Sequence, residues 1–224
     1  MTAHVVPTEL LALWEASPRR RRWFASFPAR ATALLVVDMQ NHWLDPRGAC
    51  YIPHAREIVP NVNRLAKALR AAGGTVVWIQ SSIGKKGRDA WPLFFENLTE
   101  NGEFERAELT VGHAMHALWK ELDIQPSDSR VSKNRFSPFI AGASNLEQLL
   151  RAKRRVDTVL IAGVATNICC ESTARDAMML DFRTVMLADA NAARTEEDHT
   201  DGLRTFAQVF GAVMTADQVI ARLA

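Results

Sequence analysis

The chain has 224 residues, 48% of them hydrophobic and 23% charged, an ordinary globular composition with enough length to bury roughly 70% of the unfolded surface in one domain. Its 27 basic and 25 acidic residues leave a net charge of +2, so charge gives no ground for a nucleic-acid partner or an acidic membrane surface. Three cysteines, two of them adjacent, cannot build a disulfide framework and predict a reducing, cytoplasmic setting; no stretch approaches the roughly 20 apolar residues of a membrane span, and the first residues lack the pattern of a secretory leader.

Residues 1–30 read as an N-terminal arm and 31–224 as a single domain. Thr8 to Ala16 predict a short amphipathic helix, and Arg19–Arg22 follow Pro18. Four arginines can form a nucleic-acid patch, but in a balanced chain such a run is ordinarily a solvated segment. Trp23, Phe24 and Phe27 are expected to pin the arm onto the body or onto a second subunit. Ala33 to Asp38 is a continuously apolar run ending in a carboxylate, the pattern of a central parallel strand covered on both faces. In open α/β sheets ligands bind at the carboxyl ends of strands, so Asp38 is a candidate for chemistry as well as for capping a turn.

Ala55 to Ala72 predict a helix with Ile58, Val62, Leu65, Ala66 and Leu69 on one face. Gly73-Gly74 end it, and Thr75 to Gln80 form a second strand, completing a βαβ unit. Residues 81–112 interrupt this rhythm with Trp91, Phe94, Phe95 and Phe104 among mixed charges. An insertion of that length is a lid over a site or an oligomer arm. His113 and His116 read as a surface pair without a third metal ligand. Asp128 to Lys133 form a short strand ending in lysine, Leu146 to Arg155 a helix, and Asp157 to Ile161 another buried strand. Arg183 to Asp189 (strand), Thr195 to Phe210 (helix), Gly211 to Met214 (strand) and Ala216 to Leu223 (helix) close the chain.

The stretch Ala162 to Ala177 carries Cys169 and Cys170 where a strand turns into a helix, with Thr166 or Asn167 as the cap. Free N–H groups and the helix dipole there lower a thiol's pKa. Cys170, Ala174, Ala177 and Met178 fall at helical spacing on one apolar stripe, and Cys169 lies off it. Cys170 therefore reads as core and Cys169 as the reactive candidate, although two inert buried thiols fit the same pattern. Asp38, Lys133 and Cys169 all fall at strand ends or just beyond, which a parallel sheet would bring together. A cysteine nucleophile, a carboxylate to take its proton, and a lysine to hold negative charge describe acyl transfer through a thioester. No His is placed for a Cys-His pair, and no G-x-S-x-G, P-loop or Rossmann glycine pattern is present.

The run Gly163-Val-Ala-Thr-Asn-Ile-Cys-Cys-Glu-Ser-Thr-Ala-Arg-Asp176, with Leu35 to Asn41 and Lys133 to Ser137, resembles the isochorismatase-like cysteine hydrolase superfamily from about Thr32 onward. Within it, Trp78-Ile79-Gln80 and the Lys-x-Arg-aromatic-Ser run at 133–137 liken the chain to the ureidoacrylate amidohydrolases. The resemblance implies a three-layer αβα sandwich on a mostly parallel six-stranded sheet. It implies catalytic roles for Asp38, Lys133 and Cys169, a cis peptide between Val164 and Ala165, and an oxyanion hole from the N–H groups of Ala165 and Cys169. The implied activity is cleavage of an amide, ureido or carbamoyl C–N bond of a small molecule. An isochorismatase-type ether hydrolase and a non-catalytic binding module remain as alternatives. Asp45-Pro46-Arg47 stands where metal-dependent nicotinamidases carry Asp-x-His, so no metal or cofactor is expected. Gln40, Asn41, Gln80, Asn134 and Phe136 are the expected substrate contacts, and a homodimer or homotetramer is the expected assembly.

Overall fold

The structure, a computed structural model, describes residues 4–153 and 155–224. Six strands, β1 (Thr32–Val37), β2 (Thr75–Ser81), β3 (Ser129–Lys133), β4 (Thr158–Val164), β5 (Arg183–Ala192) and β6 (Ala212–Met214), form one sheet in the order β3-β2-β1-β4-β5-β6. Every pair is parallel, and helices cover both faces, the expected αβα sandwich. β1 is apolar throughout because both faces are buried. Leu34 and Val36 join one core with Val62, Leu65 and Leu69 of the helix Val59–Ala71. Ala33, Leu35 and Val37 join the other with Cys170, Ala174 and Ala177. Helices alternate with strands, and the direction of winding reverses between β1 and β4, the switch point at which such sheets hold ligands.

The arm is tied to the body rather than trailing from it. Trp14, Phe24 and Phe27 are buried in the first core and Leu10 in the second, each contributing about 1.5–3 kcal/mol. Phe27 N–H donates to the Arg222 carbonyl at 2.8 Å, and Ala224 N–H to the Phe27 carbonyl at 3.0 Å. Trp23, expected to pin the arm, is instead exposed, although Arg183 lies over its ring, with the guanidinium carbon 5.6 Å from the centroid. Of the four arginines, Arg20 is half-buried. It donates to the carbonyls of Ala207 and Gly211, at and just beyond the end of the helix Glu196–Val209, where a cation meets unpaired carbonyls and the negative helix end.

Most element boundaries depart from the expected ones by a few residues. The predicted helix over 8–16 is confined to Thr8–Leu11. The predicted helix 146–155 is a short α-turn, Leu146–Gln148, that widens over Leu149–Lys153; its residue 154 lies outside the described residues, as do residues 1–3, which entered the leader reading. β5 runs on to Ala192 past a register shift between Ile161 and Gly163. Asn191 Nδ2 fills that irregularity, donating to the carbonyls of Ile161 and Leu187 at 2.8 Å each. Among the described residues, no helix is long and apolar enough to cross a membrane.

Candidate active site

β1 and β3 are separated by β2, about 9–10 Å at ordinary strand spacing, so a long side chain is needed to connect their ends. Just past β1, Asp38 adopts a left-handed conformation (φ 55°), which aspartate tolerates better than most residues. Lys133, the last residue of β3, reaches across and brings Nζ to 2.7 Å from Asp38 Oδ2. Ser81, in register with Lys133 at the end of β2, stands between them. Its hydroxyl donates to Asp38 Oδ1 at 3.0 Å and accepts from Lys133 Nζ at 2.8 Å, while its N–H donates to Asp38 Oδ1 at 3.0 Å. Lys133 Nζ also donates to the Arg135 carbonyl at 3.1 Å and lies 3.6 Å from Cys169 Sγ. Asp38, Lys133 and Cys169 are therefore one buried cluster at the switch point.

Cys169 is delivered by an over-wide turn, Thr166–Cys170, that follows β4 and precedes the helix Glu171–Met179. Cys170 N–H donates to the Ala165 carbonyl at 3.1 Å, an i→i−5 bond of the kind found as single turns at functional sites. The Val164–Ala165 peptide is cis. Gly163 has φ 116°, and a Cβ there would collide with the Val37 carbonyl oxygen of β1; only glycine fits this approach. Neither Thr166 nor Asn167 caps the helix, contrary to expectation. Thr166 Oγ1 instead meets His199 Nδ1 at 2.8 Å, and Asn167 Nδ2 donates to Asp198 Oδ1 at 3.2 Å, so the helix Glu196–Val209 holds the turn from behind.

His199 is fully buried, with its Nε2 on the Ala188 carbonyl at 3.1 Å. Burial first, then neighbouring His4, lowers its pKa to about 4. The folded protein thus refuses a proton that the unfolded chain accepts below about pH 6.5. Stability is full above that pH and is lost as pH falls toward about 4, by up to about 3 kcal/mol. Urea unfolding at a series of pH values should show this loss, and His199→Asn should flatten that part of the curve.

Electrostatics correct the expectation of a thiol poised as thiolate. Burial pushes the Cys169 thiol well above its ordinary range; Lys133 pulls it down and Asp38 pushes it up. A short turn cannot offset that desolvation. Burial likewise works against the Lys133 ammonium, but Asp38 and Cys169 outweigh it and its pKa is raised. The resting cluster therefore holds a neutral thiol beside a charged lysine. Cys170 is also raised well above its ordinary value by burial, but it is sealed in the core, whereas Cys169 reaches a cavity.

That cavity, about 610 Å³, is floored by Cys169 and Ala165 and walled by Trp91, Phe94 and Phe95 from the 81–112 insertion. Phe136 closes it, with its ring centroid 4.7 Å from Trp91 and 5.2 Å from Phe94. Of the five expected substrate contacts, Phe136 lines the cavity, and the other four are engaged elsewhere. Gln40 Nε2 donates to the Ser81 and His116 carbonyls, Gln80 Nε2 to the His116 carbonyl, and Asn41 Nδ2 to the Ala114 carbonyl. Asn134 Nδ2 donates to Asp89 Oδ1 at 2.8 Å. Gln40, Asn41 and Gln80 fasten the segment 114–116, just after the insertion, to the strand ends, and Asn134 fastens the insertion itself through Asp89, tasks that a sequence cannot separate from ligand binding. Gln40 Oε1 also accepts the Ser81 N–H at 2.7 Å, so Gln40→Ala should cost about 1–3 kcal/mol in urea unfolding by stranding buried groups.

The histidines expected as a surface pair are not equivalent. His113 is exposed, but His116 is half-buried with Nε2 2.7 Å from Ser82 Oγ. Among the described residues, no group of three or more His, Cys, Asp or Glu side chains could hold a metal ion. The sequence pattern also misses Ser81, which ends a strand one position beyond the predicted boundary, and His42, which lines the cavity.

A family model described as the isochorismatase domain matches residues 32–218. Among curated relatives, the ureidoacrylate amidohydrolase RutB of Rhizobium rhizogenes is 32% identical over 197 residues, covering 78% of this chain and 79% of its own. A protein of Arabidopsis thaliana described as a probable inactive nicotinamidase is 35% identical over 173 residues, covering 76% and 85%. A cysteine hydrolase from Pseudomonas syringae superposes with a TM-score of 0.76 at 30% identity, covering 88% of this chain and 94% of its own. The N-carbamoylsarcosine amidase of Thermoplasma acidophilum gives 0.67 at 26% identity, covering 83% and 96%.

Proposed function

The chain belongs to the isochorismatase family, and from that premise we propose that it is a cysteine hydrolase cleaving a C–N bond of a small amide, ureido or carbamoyl compound. The observation that carries this reading is Lys133 Nζ, 2.7 Å from Asp38 Oδ2 and 3.6 Å from Cys169 Sγ, beneath a cavity that Cys169 lines. The names of two relatives, a ureidoacrylate amidohydrolase and an N-carbamoylsarcosine amidase, support C–N cleavage.

Asp38 takes the Cys169 proton as the thiolate attacks the substrate carbonyl carbon. This sequence suits a thiol that is neutral at rest, since charge separates only as the new C–S bond forms. The backbone N–H groups of Ala165 and Cys169 hold the oxyanion. Collapse breaks the C–N bond, and the nitrogen leaves as ammonia or amine with the proton from Asp38. Water then attacks the thioester carbonyl, giving a proton to Asp38, and the departing thiolate recovers it. Lys133 stays protonated throughout and offsets the negative charge that moves between carboxylate and sulfur, while Ser81 holds the carboxylate in place.

Ammonia release from a panel of primary amides, ureido acids and N-carbamoyl compounds tests the proposal, with Cys169→Ser run beside the wild type. Release from at least one class, lost in the variant, supports it; no release from any class, or equal release by the variant, contradicts it.

A further inference from the structure

One buried titratable pair on the cavity wall has no part in this chemistry. His42 and Glu108 are 1% and 3% exposed, and His42 Nδ1 lies 2.6 Å from Glu108 Oε2. The same carboxylate oxygen accepts the Ala49 N–H at 3.0 Å. That oxygen already serves as an acceptor for the Ala49 N–H, which assigns the donor role, and the ring proton, to Nδ1. Burial, only partly opposed by Glu108, keeps the imidazole's pKa below its usual value. The neutral ring then presents a bare lone pair at Nε2.

His42 lines the same cavity as Cys169. Among the described residues, Nε2 has no hydrogen-bond partner, yet it is not one of the sealed side-chain atoms left unpaired; it opens onto the cavity. The ring is held edge-on by Trp43, centroids 4.6 Å apart. Trp91, Phe94 and Phe136 form an aromatic stretch of the wall, while Arg135, Arg194, Glu105 and Asp198 bring charge to the same cavity. A fixed acceptor beside that aromatic stretch reads a hydrogen-bond donor on a ligand whose flat part lies against the rings.

We propose that His42 Nε2 is a specificity-determining acceptor, so that the substrate has a flat apolar body and an N–H or O–H donor separate from the scissile bond. Glu108 is the positioning residue, fixing the tautomer that makes Nε2 an acceptor. The proposal rests on the hydrolase reading above for the word substrate, but the binding it describes is separable from turnover.

The 2-, 3- and 4-aminobenzamides, each set against the matching methylbenzamide, test it, because methyl replaces amino at nearly constant volume. Ammonia release is measured with the wild type, and binding by calorimetry with Cys169→Ala. One amino isomer should be favoured over its methyl partner by about tenfold, the scale of one hydrogen bond. His42→Phe should abolish that preference, and Glu108→Gln should narrow it. The favoured isomer should also shift the His42 Nε2 ¹⁵N resonance in the Cys169→Ala protein, a readout that needs no change at the pair itself. A preference unchanged in folded His42→Phe would overturn the role of His42 and leave the hydrolase reading standing. Selective binding of the amino isomer without ammonia release from any probe supports the role of His42 and counts against hydrolysis. No binding by any of the six probes would overturn the proposed substrate class.

Discussion

Cys169→Ala should reduce ammonia release by roughly 10⁴-fold or more, the scale on which loss of a covalent nucleophile is felt. The protein should remain folded, because the change removes one sulfur from the edge of the core at a cost of about 1 kcal/mol. Cys170→Ala is the matched control. Cys170 is as deeply buried as any residue of the second core, so its loss should lower stability by a similar amount while turnover stays within a few-fold. Initial rates and urea midpoints on the three proteins separate a chemical role from a packing role. If the two alanine variants lost activity equally, Cys169 would not be the nucleophile.

Lys133→Met should destabilise the fold by about 3–5 kcal/mol, because it strands the Asp38 carboxylate in a dry site. Both side chains of this pair are fully buried. The lysine contributes three donors to the cluster, and methionine can satisfy none of the acceptors they meet: Asp38, Ser81 and the Arg135 carbonyl. Activity should be lost as well. The double variant Asp38→Asn/Lys133→Met removes the stranded charge and should regain much of the stability without regaining turnover. Such recovery would place the cost in unpaired charge rather than in lost packing. A single Lys133→Met protein as stable as wild type would mean that the pair is not held as described.

The sheet was legible because its central strands are apolar runs, and a parallel sheet gathers strand ends by topology alone, so the carboxylate after β1, the lysine ending the short edge strand β3 and the cysteine beyond β4 fall at one edge. Helical spacing sets Cys169 apart from Cys170; both thiols are buried in the second core, and of the two Cys169 lines the cavity. The protonation state of Cys169 was not legible, since desolvation depends on what packs around the sulfur and not on the local motif. The same limit explains Gln40, Asn41, Gln80 and Asn134. An amide near a strand end looks alike whether it meets a ligand or a carbonyl 2.8 Å away on a distant loop, as Gln40 meets His116. The His42–Glu108 pair joins residues 66 apart in the chain, and nothing in the local pattern around either one signals the other.

Acid-quenched intact mass of the protein in its first turnover on an active substrate tests covalent hydrolysis most directly. The expected result is a mass increase equal to substrate minus ammonia, or minus the leaving amine, mapped to the peptide containing Cys169 and absent from Cys169→Ala. Turnover by the wild type with no adduct on that peptide, accompanied by undiminished turnover in Cys169→Ala, would contradict it.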